Sequence, residues 1–158
     1  RQQHDELTLD VYRACCKSGH ELLLEVILPE DNKDKDERYY IETMAHFYQL
    51  GIQPDWWKLP PLSAENWQRV GELIETQDPY CRGVLILGLD SPEAQLKAGF
   101  AAAAQAPWVK GFAVGRTIFG QASRHWLQGE LNDAELMTQV KQNYQTLISY
   151  WREYRPAV

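Results

Sequence analysis

The chain has 158 residues, 44% hydrophobic and 24% charged, which is enough for one ordinary domain with a packed core and too apolar for a disordered segment. A formal charge of −6 and a pI near 5.2 supply no basic field, so nucleic acid and anionic membranes are poor partners and any phosphate must be held by a local site. No apolar run approaches the roughly 20 residues that span a bilayer and no segment reads as a signal peptide, so the expected location is the cytoplasm.

The chain opens without a methionine, and Leu7 to Cys16 already reads as the middle of a helix, so the sequence is expected to be a piece of something longer. Leu7, Val11, Ala14 and Cys15 recur at helical spacing, and Gly19 stands where a C-capping glycine belongs, which predicts a helix ending near Ser18. Leu22 to Pro29 (LLLEVILP) is too short for a helix and apolar on both faces apart from Glu25. That pattern predicts a strand buried on both sides, as in a parallel sheet. Glu30 to Arg38 is a dense charge run, read as a solvated loop with a mobile lid as the alternative.

Tyr40, Met44, Phe47 and Leu50 form the next helical stripe, closed by Gly51, and Pro54 to Pro60 (PDWWKLP) follows as a second strand. Ser63 is the predicted cap of a third helix running to about Gln77, and Cys81 to Leu89 (CRGVLILGL) is the third strand. Ser91 as N-cap and Pro92 at the first helical position open an alanine-rich helix to about Gln105. Val109 to Ile118 (VKGFAVGRTI) is the fourth strand, followed by a short helix over 121–127 and a long one that Asn132 caps, running to about Tyr154. The pattern is α/β: four consecutive βα units.

Such units form either an open doubly wound sheet or half of a closed (β/α)8 TIM barrel. The fourth strand favours the barrel: Gly111, Ala113 and Gly115 alternate with Phe112 and Val114, small residues for a crowded interior and large ones for the helices outside. A half-barrel has two unpaired strand edges, so it must meet its missing N-terminal half or a second copy of the chain.

In parallel α/β folds ligands bind at the C-terminal ends of the strands. The polar residues expected there are Glu25, Lys58, Gly88, Asp90, Ser91, Gly115, Arg116 and Thr117. Lys58 alone among the lysines ends a strand, and its neighbours Trp56, Trp57, Leu59 and Pro60 offer little water, which favours the neutral amine that attacks a carbonyl. Glu25, in an apolar run, needs a partner or a proton. A structural Glu25–Lys58 ion pair is the competing reading. Gly88 to Ser91 and Gly115 to Thr117, on successive strand ends, would cradle a phosphate.

The remaining candidates read as structural. Cys15, Cys16 and Cys81 lack metal-ligand spacing and are expected to be buried free thiols, and His20, His46 and His125 are too scattered to hold a metal. Trp67, Trp126 and Trp151 fall at helical packing positions, and no Walker loop or GxGxxG follows a strand.

Taken together, LLLEVILP, PDWWKLP, GVLILGLD and above all GFAVGRTIFGQASRHWLQGE resemble the aldolase-like domain fused behind the sugar kinase of bacterial inositol catabolism. That domain is similar to 5-dehydro-2-deoxyphosphogluconate aldolase and, more distantly, to class I tagatose-bisphosphate aldolases. The resemblance implies the C-terminal half of a TIM barrel, with the first four βα units absent. It implies a Schiff-base lysine at Lys58, an acid/base carboxylate at Glu25 and phosphate binding at Gly88, Gly115 and Arg116. The implied reaction is cleavage of 2-deoxy-5-keto-gluconate 6-phosphate to dihydroxyacetone phosphate and malonate semialdehyde, without metal or organic cofactor. The implied partners are the phosphorylated sugar acid and a fused sugar kinase domain. A non-catalytic sugar-phosphate-binding or assembly module attached to such a kinase is the alternative.

Overall fold

The computed structural model describes residues 2–28, 36–88 and 92–155. In chain order the elements are α1 (Gln2–Ser18), β1 (Leu23–Glu25), α2 (Arg38–Gln49), β2 (Trp56–Leu59), α3 (Ala64–Gln77), β3 (Gly83–Leu87), α4 (Glu93–Ala102), β4 (Val109–Ala113), α5 (Arg116–Leu127) and α6 (Asp133–Tyr154). The described strands form one parallel sheet in the order β1-β2-β3-β4, so this is a mixed α/β fold with six helices among the described residues.

Local chemistry sets several helix ends. Gly19 and Gly51, at φ 71° and 76°, take the left-handed conformation that stops α1 and α2. Ser63 caps α3 by accepting the Asn66 N–H. Asn132 and Glu135 make a reciprocal capping box on α6: Asn132 Oδ1 accepts the Ala134 and Glu135 N–H groups, and Glu135 Oε2 accepts the Asn132 N–H. Gly83, at φ 140°, is required by the close approach of β4, since a Cβ there would lie 2.6 Å from the Trp108 carbonyl oxygen.

The strands are shorter than expected, and two boundaries next to the candidate site differ in kind. Pro92 is the N-cap of α4 and Glu93 its first residue; the predicted cap, Ser91, lies outside the described residues. The fourth strand stops at Ala113, and Arg116 and Thr117 form the first turn of α5. β-Branched Val114, Thr117 and Ile118 prolong the strand signal across a chain that has already turned into a helix.

One sheet face carries the core. Leu24, Val26, Trp57, Leu59, Val84, Ile86 and Phe112 pack there with Met44 and Tyr48 of α2, Trp67, Val70 and Ile74 of α3, Phe100 of α4 and Trp151 of α6. Trp57 is wholly buried, and its indole N–H donates to the Tyr48 hydroxyl at 2.8 Å. Phe100, Phe112 and Trp151 make a second aromatic group with centroids 5.1 to 6.1 Å apart. Leu23, Glu25, Trp56, Lys58, Leu85, Gly111 and Ala113 alternate to the other face and none of them is fully buried, whereas Gly83 and Leu87, at the two ends of β3 on that same face, are. Leu23 is 42% exposed and Ile27, just past β1, 60%. The expectation that this strand is buried on both sides is therefore corrected: among the described residues only one of its faces is covered. Likewise Leu7 and Val11 of α1 are exposed, and of the three thiols only Cys81 is buried, with Cys15 partly so and Cys16 exposed.

Within the charge run, Asp36 and Arg38 pair with each other at the start of α2, and Glu37 reaches further. The Glu37 carboxylate accepts hydrogen bonds from the Ser63 N–H and hydroxyl and from the Asn66 side chain, tying the start of α2 to the start of α3. Burial alone would raise its pKa, but these three donors outweigh burial and hold it below the ordinary glutamate value. A depressed folded-state pKa stabilises the fold above the unfolded value, and that stabilisation is lost as pH falls through the folded one. Glu37→Ala is thus expected to cost about 1–3 kcal/mol at neutral pH. Urea unfolding of both proteins should show the gap closing as pH falls below about 4.

Candidate functional site

The four strands are parallel, so their C-terminal ends lie at one edge of the sheet, and of the predicted polar residues Glu25, Lys58, Gly88, Gly115, Arg116 and Thr117 lie at or just beyond those ends. Glu25 is the last residue of β1 and Lys58 the third of β2, and the two stand side by side in register. The Lys58 ammonium donates to Glu25 Oε1 at 3.0 Å, with side-chain exposures of 21% and 35%. This pair answers the need of a carboxylate in an apolar strand for a partner. It sits on the face opposite the helix layer, between Trp56 on its own strand and Leu85, its register neighbour on β3.

The setting of Lys58 differs from the sequence expectation in one respect. Trp57 and Leu59, adjacent in sequence, are wholly buried on the helix side and so do not surround the amine. Alternation along a strand sends neighbouring side chains to opposite faces. What touches the ammonium is a carboxylate, and among the described residues no helix covers the sheet face on which the pair stands.

A second constellation forms after β3 and β4. Gly88 directly follows β3 and is buried; a Cβ there would lie 2.8 Å from Val114 Cγ1 and 3.2 Å from Thr117 Oγ1, so only glycine lets the two strand ends come together. Thr117 Oγ1 is buried with no hydrogen-bond partner. Gly115 is the N-cap of α5, and neither it nor Pro92 on α4 contributes a side-chain cap. Both helices therefore begin with N–H groups that no capping side chain satisfies. Beside these two N-termini is a pocket of about 280 Å³ lined by Glu93, Arg116, Thr117, Gln121, Arg124 and Asn143, among others. Two guanidinium groups, two amides and two helix N-termini make it suited to an anion, with Glu93 its one carboxylate; that carboxylate accepts the Tyr150 hydroxyl. Asp90 and Ser91, expected in the same cradle, lie outside the described residues.

Arg124, Gln121 and Asn143 were not legible as site residues. Arg116 and Arg124 are eight apart, two turns on one helix face, a signal that exists only once α5 is known to begin at Arg116. Among the described residues no three or more His, Cys, Asp or Glu side chains are grouped to hold a metal ion. No helix of the described residues is long and apolar enough to cross a membrane.

The model of the family DUF2090, described as an uncharacterized protein conserved in bacteria, matches residues 1–155, so the chain belongs to that family. No curated protein matches it.

Proposed function

We propose that this DUF2090 protein is a lysine-dependent (class I) sugar-phosphate aldolase, built on the C-terminal half of a (β/α)8 barrel and acting in the cytoplasm with an attached sugar kinase. The observation that carries the reading is the Glu25–Lys58 pair, 3.0 Å apart in register near the C-terminal ends of adjacent parallel strands, on the sheet face free of the helix layer. The barrel reading draws support from the one-sided core, since a doubly wound sheet buries both faces under helices. Strands β1 and β4, each paired on one side among the described residues, are where further strands would close it.

In the proposed reaction Glu25 takes a proton from the Lys58 ammonium, and the neutral amine attacks the ketone of 2-deoxy-5-keto-gluconate 6-phosphate. Glu25 then returns the proton to the departing hydroxyl, which leaves as water and gives a protonated imine. Loss of the proton from the hydroxyl two carbons away breaks the intervening carbon–carbon bond and releases malonate semialdehyde. The bonding electrons move into the imine as an enamine, which is protonated on carbon and hydrolysed to dihydroxyacetone phosphate and free Lys58. Arg116, the Thr117 hydroxyl, the Gly88 and Gly115 backbone and the N-terminus of α5 are assigned to the phosphate, as Asp90 and Ser91 are from the sequence. Arg124 would add a second cation to the same pocket.

The test is cleavage of the phosphorylated keto acid by the whole protein, followed by coupled reduction of dihydroxyacetone phosphate. Turnover that disappears in Glu25→Ala and Lys58→Met supports the reading; product formation at the wild-type rate by either variant contradicts it. Arg116→Ala is expected to weaken binding of the phosphorylated substrate by about 1.5–3 kcal/mol, the worth of a charge-assisted hydrogen bond. A dephosphorylated analogue should lose much less, and calorimetric titration of both ligands would check this.

A further inference from the structure

We propose that Tyr150 is a positioning residue of the anion pocket beside α4 and α5: its hydroxyl tethers the Glu93 carboxylate to α6 and so keeps it from competing with a phosphate for Arg116 and Arg124. The inference rests on the assignment of that pocket to the substrate's phosphate. Glu93 is the first residue of α4 and the one carboxylate among the residues lining the pocket. Side chains on a helix lean toward its N-terminus. A glutamate at the first position therefore reaches over the helix mouth, where the anion would sit. Left to itself it would pair with a guanidinium and repel the phosphate.

The ordinary helical partner of Glu93 is Lys97, four residues on, in the orientation that favours Glu–Lys pairs. The structure uses that lysine elsewhere. The Lys97 ammonium donates to Glu153 Oε2 at 2.9 Å and stands 4.7 Å from the centre of the Tyr150 ring. Glu93 Oε1 accepts the Tyr150 hydroxyl across the seam between α4 and α6. That seam has a fixed register: Phe100 meets Trp151 edge-on with centroids 5.5 Å apart, and Arg155 Nη2 donates to the Ala103 carbonyl at 2.7 Å. The phenol thus has a set place from which to hold the carboxylate. Its hydrogen bond to Glu93 raises its pKa above the ordinary tyrosine value, so the hydroxyl stays a donor throughout the neutral range.

The test is titration of the whole protein with inorganic phosphate, followed by phosphorus NMR at low ionic strength. Arg124→Ala should lose most of the binding, which assigns the phosphate to this pocket. Tyr150→Phe keeps the ring beside Lys97 and removes only the hydroxyl. It should bind phosphate about three- to fivefold more weakly, the competition that an exposed ion pair can offer. Glu93→Gln in the Tyr150→Phe background should restore at least wild-type affinity, whereas the same change alone should gain less, so that the two substitutions are coupled. A tyrosine that serves only to pack α6 on α4 would instead show a loss that Glu93→Gln leaves in place. Wild-type affinity in Tyr150→Phe, additive effects in the double variant, or phosphate binding that is absent or indifferent to Arg124→Ala would each overturn the proposal. Phosphate binding needs no turnover, so coupling of residues 93 and 150 without cleavage would sink the aldolase alone, and cleavage without coupling would sink this inference alone.

Discussion

Lys58→Met is expected to lower cleavage of the phosphorylated keto acid by about a thousandfold or more, the scale of losing a covalent nucleophile. Methionine keeps the aliphatic length of the side chain but has no amine, so the carbonyl carbon has nothing to attack it. The fold should tolerate the change, because a partly exposed ion pair contributes only about 0–1 kcal/mol. Lys58→Arg sharpens the contrast. A guanidinium can still face Glu25 across adjacent strands, so a structural pair survives in part, whereas imine formation does not. Chemical denaturation beside a cleavage assay, for both variants, separates the two roles of the residue. Near-normal stability with no turnover is the expected outcome; appreciable turnover in Lys58→Arg would return the pair to a purely structural role.

Trp57→Ala should do the opposite, damaging the fold first. The side chain is wholly buried on the helix face of β2, edge-on to Tyr48 with ring centroids 5.5 Å apart, and hydrogen-bonded to that phenol. Truncating a buried tryptophan costs about 3–5 kcal/mol. For a chain of this size that lowers Tm by roughly 10 °C or more. Burial holds the Tyr48 phenol well above its ordinary pKa. It therefore stays a neutral hydroxyl and loses its indole donor in this variant. Trp57→Phe keeps most of the packing and should cost less, about 1–3 kcal/mol for the missing hydrogen bond. Calorimetric melting of the two variants would measure both effects. Because Trp57 precedes Lys58 on the same strand, Trp57→Ala should lose activity along with stability, unlike Lys58→Met.

Several features decided by one residue's chemistry were readable in the sequence. Ser63 and Asn132 cap helices as expected because their side-chain oxygens reach free N–H groups, and Gly19 and Gly51 end helices because they accept positive φ. The pairing of Glu25 with Lys58 was legible because each is a charge in an apolar strand and the strands are consecutive. Features that depend on the third dimension were not. Leu23 and Ile27 carry a doubly buried signature, yet both are exposed among the described residues, because burial is decided by what packs on a sheet face and not by the strand's own pattern. The apolar sequence around Lys58 suggested a dry amine, but alternation turns Trp57 and Leu59 away from it. Glu37 was hidden in a run of charges, since only folding brings it to Ser63, 26 residues on. Arg124 became visible as a companion of Arg116 only when α5 proved to start at Arg116, three residues past the end of β4 at Ala113.

Whether Lys58 forms an imine decides most directly between an aldolase and a structural ion pair. The whole protein incubated with the phosphorylated keto acid and sodium borohydride should gain the mass of one reduced adduct, and peptide mapping should place it on the peptide carrying Lys58. Lys58→Met and Lys58→Arg should gain none. An adduct on another lysine, or no adduct while cleavage proceeds, would contradict the assignment of Lys58 as the Schiff-base residue.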